Sequence, residues 1–158
     1  MPRASKRIVL GAALLAITVP AAAKLSLGVY DGWGAFRDEA QGRCYAIAEP
    51  PYKASSRPYA SVGFWPQQGV RAQVYFRLSR EKRAGSAMSV SIGEERYPLR
   101  SGGRNAWAVD ARTDAAIIAA MRSAKSMSVQ GGGVVDSYQL RGAASAIDAA
   151  ALSCARMR

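Results

Sequence analysis

Cys44 and Cys154 are the side chains of this 158-residue chain with the most reactive chemistry, and the absence of histidine limits what they can do. Cys–His nucleophiles, Ser–His–Asp triads and zinc sites with imidazole ligands all need a histidine, so these classes are excluded. Two cysteines about 110 residues apart are also not a C-x-x-C redox motif. The sequence therefore predicts a Cys44–Cys154 disulfide, with two free thiols as the alternative.

Three other patterns of reactive residues do not indicate an enzyme. The motif SREK, from Ser79 to Lys82, matches the S-x-x-K of penicillin-binding proteins, but it lies in a charged turn without an S-D-N or K-T-G element. Adjacent Glu94 and Glu95 would point to opposite faces of a strand, so they cannot converge as a glycosidase pair. The segment QGGGVV (130–135) leads into a strand, whereas a phosphate loop needs a following helix. We expect a protein without enzymatic activity, cofactor or metal.

Basic side chains suggest binding instead. The chain has 22 Lys and Arg residues against 11 Asp and Glu, a net charge of +11, which favours anionic partners. Arginines brought to one outward face by neighbouring strands would form an anion-binding surface. The alternative is that the charge only keeps the protein in solution. The candidate anion-binding residues are Arg77, Arg80, Lys82, Arg83, Arg96 and Arg100.

The N-terminus has the pattern of a secretory signal peptide. Basic residues precede an apolar run at 8–19, followed by Pro20 and by small residues that end at Ala23. The run is short for a bilayer span, which takes about 20 residues. We predict a signal peptide at 1–23, cleavage after Ala23, and one β-rich domain at 24–158. The alternative is a retained membrane anchor extended by the apolar residues Leu25, Leu27 and Val29.

Export would place the protein in the periplasm or outside the cell, where disulfides persist. The expected partner is an anionic cell-envelope polymer or a periplasmic protein. Nucleic acid is not expected there, and membrane contact is expected only through an uncleaved N-terminal segment. The main prediction is a non-enzymatic envelope-associated or binding protein. The alternative is a periplasmic inhibitor or ligand-binding module that acts through the exposed loop EPPYKASSRP (49–58).

Short runs of alternating apolar and polar residues, bounded by Gly, Pro and Ser, predict the strands that would position these side chains. A first hairpin is predicted to turn at 38–42, with Cys44 starting its second strand. The predicted fold is a mainly β, α+β antiparallel sandwich with one helix in the second half and another at the C-terminus. The strand candidates are RCYAIA (43–48), YASVGFW (59–65), RAQVYFRLS (71–79), AMSVSI (87–92), RYPLR (96–100), AWAV (106–109), SMSVQ (126–130) and SYQLR (137–141).

Two segments have helical spacing. The first, at 110–126, has Asp110 or Thr113 as candidate N-caps and an apolar face. The second, at 142–158, has Ser145 and Asp148 at capping-box spacing and is predicted to turn Cys154 toward the sheet.

Aromatic residues recur at alternating positions of the predicted strands. They would either line a ligand groove or simply pack in the core and on the sheet face. The residues are Tyr45, Tyr59, Trp65, Tyr75, Trp107 and Tyr138.

The segments WGAFRDEAQGRCYA and YQLRGAASAIDAA resemble the invasion-associated locus B family of small periplasmic proteins. The resemblance runs in order across most of the chain beyond 23, although the family usually has a further cysteine pair that this chain lacks. It implies a β-sandwich with a packed helix, in the periplasm, without a known catalytic centre. The residues that carry it are Trp33, Cys44, Tyr138, Leu140, Gly142 and Ala143.

Overall fold

The structure, a computed structural model, describes residues 24–157 and contains ten β-strands and two α-helices there. The strands are β1 Leu25–Tyr30, β2 Trp33–Asp38, β3 Arg43–Ala48, β4 Tyr59–Trp65, β5 Val70–Arg77, β6 Met88–Ile92, β7 Glu95–Gly102, β8 Asn105–Ala108, β9 Ser126–Gly131 and β10 Val134–Gln139. The helices are α1 Ala111–Met121 and α2 Ala143–Ala155. The predicted signal peptide at 1–23 and its cleavage after Ala23 lie outside the described residues.

All ten strands join one antiparallel sheet in the order β1-β2-β3-β4-β5-β8-β7-β6-β9-β10. The sheet folds back on itself, because the ring of Phe76 in β5 packs against that of Tyr138 in β10 with centroids 6.4 Å apart. The buried indole of Trp33 in β2 also donates a hydrogen bond to the carbonyl of Gln139 in β10, at 2.9 Å. The core lies between the two halves of the sheet, and the predicted mainly β, α+β class is confirmed.

The first hairpin follows its sequence pattern. β2 and β3 pair in register, with Ala35 opposite Ala46, and the chain turns between Asp38 and Arg43 as predicted. Cys44, Ala46 and Ala48 are buried, so the intervening residues of β3 face outward. Alternation in the sequence therefore assigned the two faces of this strand correctly.

Strand β1 was not predicted. Its apolar residues were considered only as an extension of the N-terminal apolar run, whereas the structure pairs β1 with β2 from Leu25 opposite Arg37 to Tyr30 opposite Trp33. The alternation of Leu25, Leu27 and Val29 is itself a period-two signal. In the described part of the chain, neither helix is long and apolar enough to cross a membrane.

Helix α1 is capped as predicted and is also tied to the sheet. The Asp110 carboxylate accepts a hydrogen bond from the backbone N–H of Thr113 at 2.7 Å, which satisfies one of the free amides of the first turn. The buried Asp114 carboxylate accepts the backbone N–H of Val74 in β5, also at 2.7 Å. Burial raises the pKa of Asp114, while the Val74 hydrogen bond acts in the opposite direction.

Helix α2 begins one turn earlier than its capping pattern suggested. Gly142 is the N-cap, and Ser145 lies inside the helix, so the predicted capping box is wrong. Asp148 instead forms a bidentate ion pair with Arg122 near the end of α1, in which two guanidinium nitrogens lie 2.6 and 3.2 Å from the two carboxylate oxygens. The two carboxylate bonds raise the pKa of Arg122 and lower that of Asp148.

The Cys44–Cys154 disulfide is confirmed and joins β3 to α2, with 5.6 Å between the two Cα atoms. Cys154 is buried, as the helical spacing predicted. Both helices contribute buried side chains to the core, among them Ile117 and Ile147. The helices therefore cover the face of the sheet that carries Cys44, and the opposite face of β3, β4 and β5 is left to its own side chains.

Candidate functional site

Five of the six aromatic residues singled out in the sequence lie on the outward face of β3, β4, β5 and β8. Cross-strand pairing brings them together: Tyr45 lies opposite Gly63, Tyr59 opposite Arg77, and Tyr75 opposite Trp107. All five are half-buried, so each still offers part of its ring to solvent. We call this surface the aromatic face; its residues are Tyr45, Tyr59, Trp65, Tyr75 and Trp107. The sixth, Tyr138, is 1 % exposed and belongs to the core.

The rings of the aromatic face are held in place by one another and by polar contacts. The rings of Tyr59 and Tyr75 lie 5.8 Å apart between centroids. The Tyr75 hydroxyl donates to Asn105 Oδ1 at 2.5 Å, and an Arg77 guanidinium N–H donates to the same oxygen at 3.3 Å. Burial raises the pKa of Tyr59, with a smaller contribution from Tyr75. These contacts order the side chains before any ligand arrives.

Gly63 makes the surface flat at its centre. A Cβ atom placed on this residue would lie 2.5 Å from the Trp65 indole, so the indole crosses the space above the glycine. Gly34 in β2 repeats the arrangement under the ring of Phe36, at 2.7 Å. A glycine within a strand often marks the close approach of another group. Here that group is a neighbouring aromatic ring that lies along the sheet.

Arg43 belongs to the candidate site, and it was not among the residues singled out from the sequence. Its guanidinium lies 4.7 Å from the centre of the Tyr45 ring and 6.0 Å from that of the Trp65 ring, within reach of cation–π attraction. Its Nε atom is buried and has no hydrogen-bond acceptor among the described residues. Its outward orientation was predictable from the sequence, because successive residues of a strand face opposite sides of the sheet and Cys44, the next residue, faces inward.

A groove of about 430 Å³ opens on the aromatic face around Gly63. We call it the Gly63 groove. Its volume falls in the range of sites that hold small molecules or parts of larger ones, about 300–1,000 Å³. It is lined by Lys24, Arg43, Tyr45, Ile47, Tyr59, Ser61, Gly63, Trp65, Gln73 and Tyr75.

The six predicted anion-binding residues are divided among three places. Arg77 lies opposite Asn105, and Arg100 opposite Trp107, so both adjoin the aromatic face. Arg96 precedes Arg100 by four residues on β7, about 13 Å along the strand, and lies opposite Ser91. The remaining three are in the connection between β5 and β6: Arg80, Lys82 and Arg83.

A buried carboxylate anchors the loop at 49–58. Asp136 is 0 % exposed; it accepts the Tyr52 hydroxyl at 2.8 Å and the backbone N–H of Ser79 at 2.8 Å. The predicted exposed loop is therefore attached to β10 by one side chain, and the same carboxylate holds the chain just after β5. Sequence reasoning did not single out Asp136, which lies at an inward position of an alternating strand.

Tyr52 is expected to titrate with a pKa of about 12, because burial and the hydrogen bond to Asp136 both favour its neutral form. In Asp136→Asn the pKa should fall only part of the way to its ordinary value of 10.0, since burial is the larger cause. The raised pKa means that Tyr52 contributes stability below pH 10 that is lost as the pH rises through about 12. Tyrosinate absorbance during alkaline titration, compared with Tyr52→Phe, measures the shift. An identical pKa in the Asp136→Asn variant would contradict the contribution of the Asp136 carboxylate.

Among residues 24–157, no three Cys, Asp or Glu side chains gather where they could hold a metal ion. Comparisons of the chain with protein-family models, curated proteins and solved structures find no match.

Proposed function

We infer that this protein is an exported, non-catalytic binding protein that holds an anionic cell-envelope polymer on its aromatic face. The observation that carries the inference is an ordered row of half-exposed rings bordered by Arg43, Arg77 and Arg100. None of the residues of β3, β4, β5 or β8 is acidic, so nothing in these strands opposes an anion. The disulfide is of the kind that persists outside the cytoplasm, which supports export.

The shape of the aromatic face favours an extended ligand. The Phe36 ring in β2 stacks on Tyr45, with centroids 5.6 Å apart, and extends the row, which then crosses five strands from β2 to Trp107 in β8. With neighbouring strands about 4.8 Å apart, this width is about 19 Å. Several units of a linear polymer would lie along such a row, each against a different ring. The resemblance to periplasmic proteins of the invasion-associated locus B family agrees with this proposal.

Binding to an acidic polymer is expected to weaken in the double variant Arg77→Gln/Arg100→Gln by about tenfold, and to weaken as salt rises, because exposed charges are screened. Arg83→Gln/Arg96→Gln is the matched control, since it removes the same charge away from the aromatic face. Co-sedimentation with insoluble acidic polysaccharide at low and high salt measures both. Equal losses in the two variants would show that only net charge acts, and salt-independent binding would contradict the electrostatic contribution.

A second candidate function rests on the loop at 49–58. The Tyr52–Asp136 hydrogen bond gives this exposed loop a fixed attachment, and Arg57 within it adopts a left-handed backbone conformation with φ of 47°. Ordered exposed loops suit inhibitors, which bind with little change of shape. An inhibitor would capture one soluble periplasmic enzyme, and Tyr52→Phe would weaken that capture. A polymer-binding protein would sediment with the envelope, and the same variant would leave its binding unchanged.

A further inference from the structure

We propose that the Gly63 groove binds one sugar ring that carries a carboxylate, a hexuronic acid unit of an acidic polysaccharide. This inference rests on the proposed function and names the class of polymer. It follows from two features that meet in the groove: a flat aromatic floor and a guanidinium held over two of its rings.

The floor is suited to a sugar ring. A pyranose has one face made largely of C–H groups, and such a face packs against a flat aromatic ring as other apolar surfaces do. The Trp65 indole lies across Gly63, and Tyr59 and Tyr75 stand beside it with their rings 5.8 Å apart. Ser61 and Gln73 line the same groove and supply hydroxyl and amide groups for the polar edge of a sugar.

The guanidinium of Arg43 is suited to a carboxylate. Its planar fork can donate two parallel hydrogen bonds to a carboxylate, which a lysine cannot do. The rings of Tyr45 and Trp65 restrict its position, and its buried Nε has no acceptor among the described residues. Lys24 lines the groove as well and adds a second positive charge.

The separation of these two features favours a uronic acid over a nucleotide. The Arg43 guanidinium lies over the Trp65 ring, 6.0 Å from its centre, so the acidic group must be close to whatever sugar or base ring packs beside it on the same floor. A hexuronic acid has its carboxylate on a ring carbon and meets this condition. A nucleotide has a sugar between its base and its phosphate, so a base stacked on Trp65 places the charge farther away.

The test uses the purified full-length protein and four probes: an oligogalacturonate, the neutral galactose oligomer of equal length, polyphosphate and an oligothymidylate. Titration calorimetry is expected to show binding of the oligogalacturonate and at least tenfold weaker binding of the neutral oligomer. Trp65→Ala and Arg43→Gln should each lower affinity for the oligogalacturonate by about tenfold or more. Arg43→Lys keeps the charge but cannot donate two parallel hydrogen bonds to a carboxylate, so it should also weaken binding.

Arg112→Gln is the control, because Arg112 is exposed on α1, on the opposite side of the sheet from the aromatic face, and does not line the Gly63 groove. Its affinity for a short oligogalacturonate should stay within about twofold of the parent. Circular dichroism and thermal unfolding verify that each variant is folded, and Trp65→Phe, which keeps a ring, replaces Trp65→Ala if the latter unfolds.

The outcomes separate this inference from the proposed function. Equal binding of the galactose oligomer, or unchanged affinity in folded Arg43→Gln, would overturn the uronic acid assignment. Tighter binding of polyphosphate that depends on Arg77 and Arg100 would overturn it too, while leaving the proposed function intact. Tighter binding of oligothymidylate would identify a nucleic acid site instead. If the protein binds none of the three anionic probes, both the uronic acid assignment and the proposed function are overturned.

Discussion

Replacing both cysteines with serine is expected to lower the free energy of unfolding by about 4 kcal/mol. The Cys44–Cys154 bridge joins residues 110 positions apart. In the chain-entropy model, closing a loop of about 100 residues removes enough freedom from the unfolded chain to stabilise the fold by about 4.7 kcal/mol, and measured values tend to be lower. Urea unfolding of the oxidised protein and of the double variant measures the difference directly.

The bridge also acts locally on α2. Cys154 lies in the last turns of this helix, and the Met157 sulfur is 3.5 Å from both bridged sulfurs, so the C-terminal segment packs over the disulfide. Without the bridge, we expect amide hydrogen exchange to rise first near residue 154, because chain ends fray unless they are tied down.

Reduction of the parent protein is the control for this prediction. Reduced parent and double serine variant should both unfold at a lower urea concentration than the oxidised parent, since both lack the covalent loop. Two titratable thiols in the unreduced, denatured protein would contradict the bridge itself. Equal stability of oxidised parent and variant would contradict its contribution.

The faces of the strands were predictable because a two-residue period is a local property. The alternation of Cys44, Ala46 and Ala48 with Tyr45 and Ile47 is sufficient to separate the inside of β3 from its outside, and the structure agrees. The disulfide was predictable for another reason: a chain with a secretory pattern and two cysteines has a single possible intramolecular pairing.

The order of the strands was not predictable in this way. Between β5 and β9 the sheet order is β8-β7-β6, so these three strands lie in the reverse of their order along the chain. That arrangement depends on which edges bury the most apolar surface, and no short pattern encodes it. The buried Asp136 was missed for a related reason, because its partners Tyr52 and Ser79 are 84 and 57 residues away in sequence.

The candidate site was half predictable. The aromatic residues were identified by type and position, but Arg43 was missed, because the candidate basic residues were those that cluster along the chain between 77 and 100. The structure places Arg77 and Arg100 beside the rings, while Arg80, Lys82 and Arg83 lie in the connection after β5. Cross-strand neighbours define a binding surface better than neighbours along the chain.

Gly142→Ala is expected to destabilise the fold by about 3 kcal/mol, which is large for the addition of one methyl group. Gly142 is the N-cap of α2 and has a positive φ of 81°. A Cβ atom there would lie 2.0 Å from the carbonyl oxygen of Tyr30 at the end of β1. Backbone cannot move aside as the end of a side chain can, so either the helix or β1 must shift.

Gly69→Ala is the matched control, because it separates the backbone conformation from the contact. Gly69 has a similar positive φ of 71°, yet nothing lies within 4 Å of a Cβ placed on it. Its substitution should cost only the conformational penalty, about 1–2 kcal/mol. Urea unfolding of the two variants gives the difference, which measures how closely α2 approaches β1. Equal destabilisation would contradict that approach. A larger loss in Gly142→Ala would show that Gly142 is required because the first turn of α2 lies directly against the edge of the sheet.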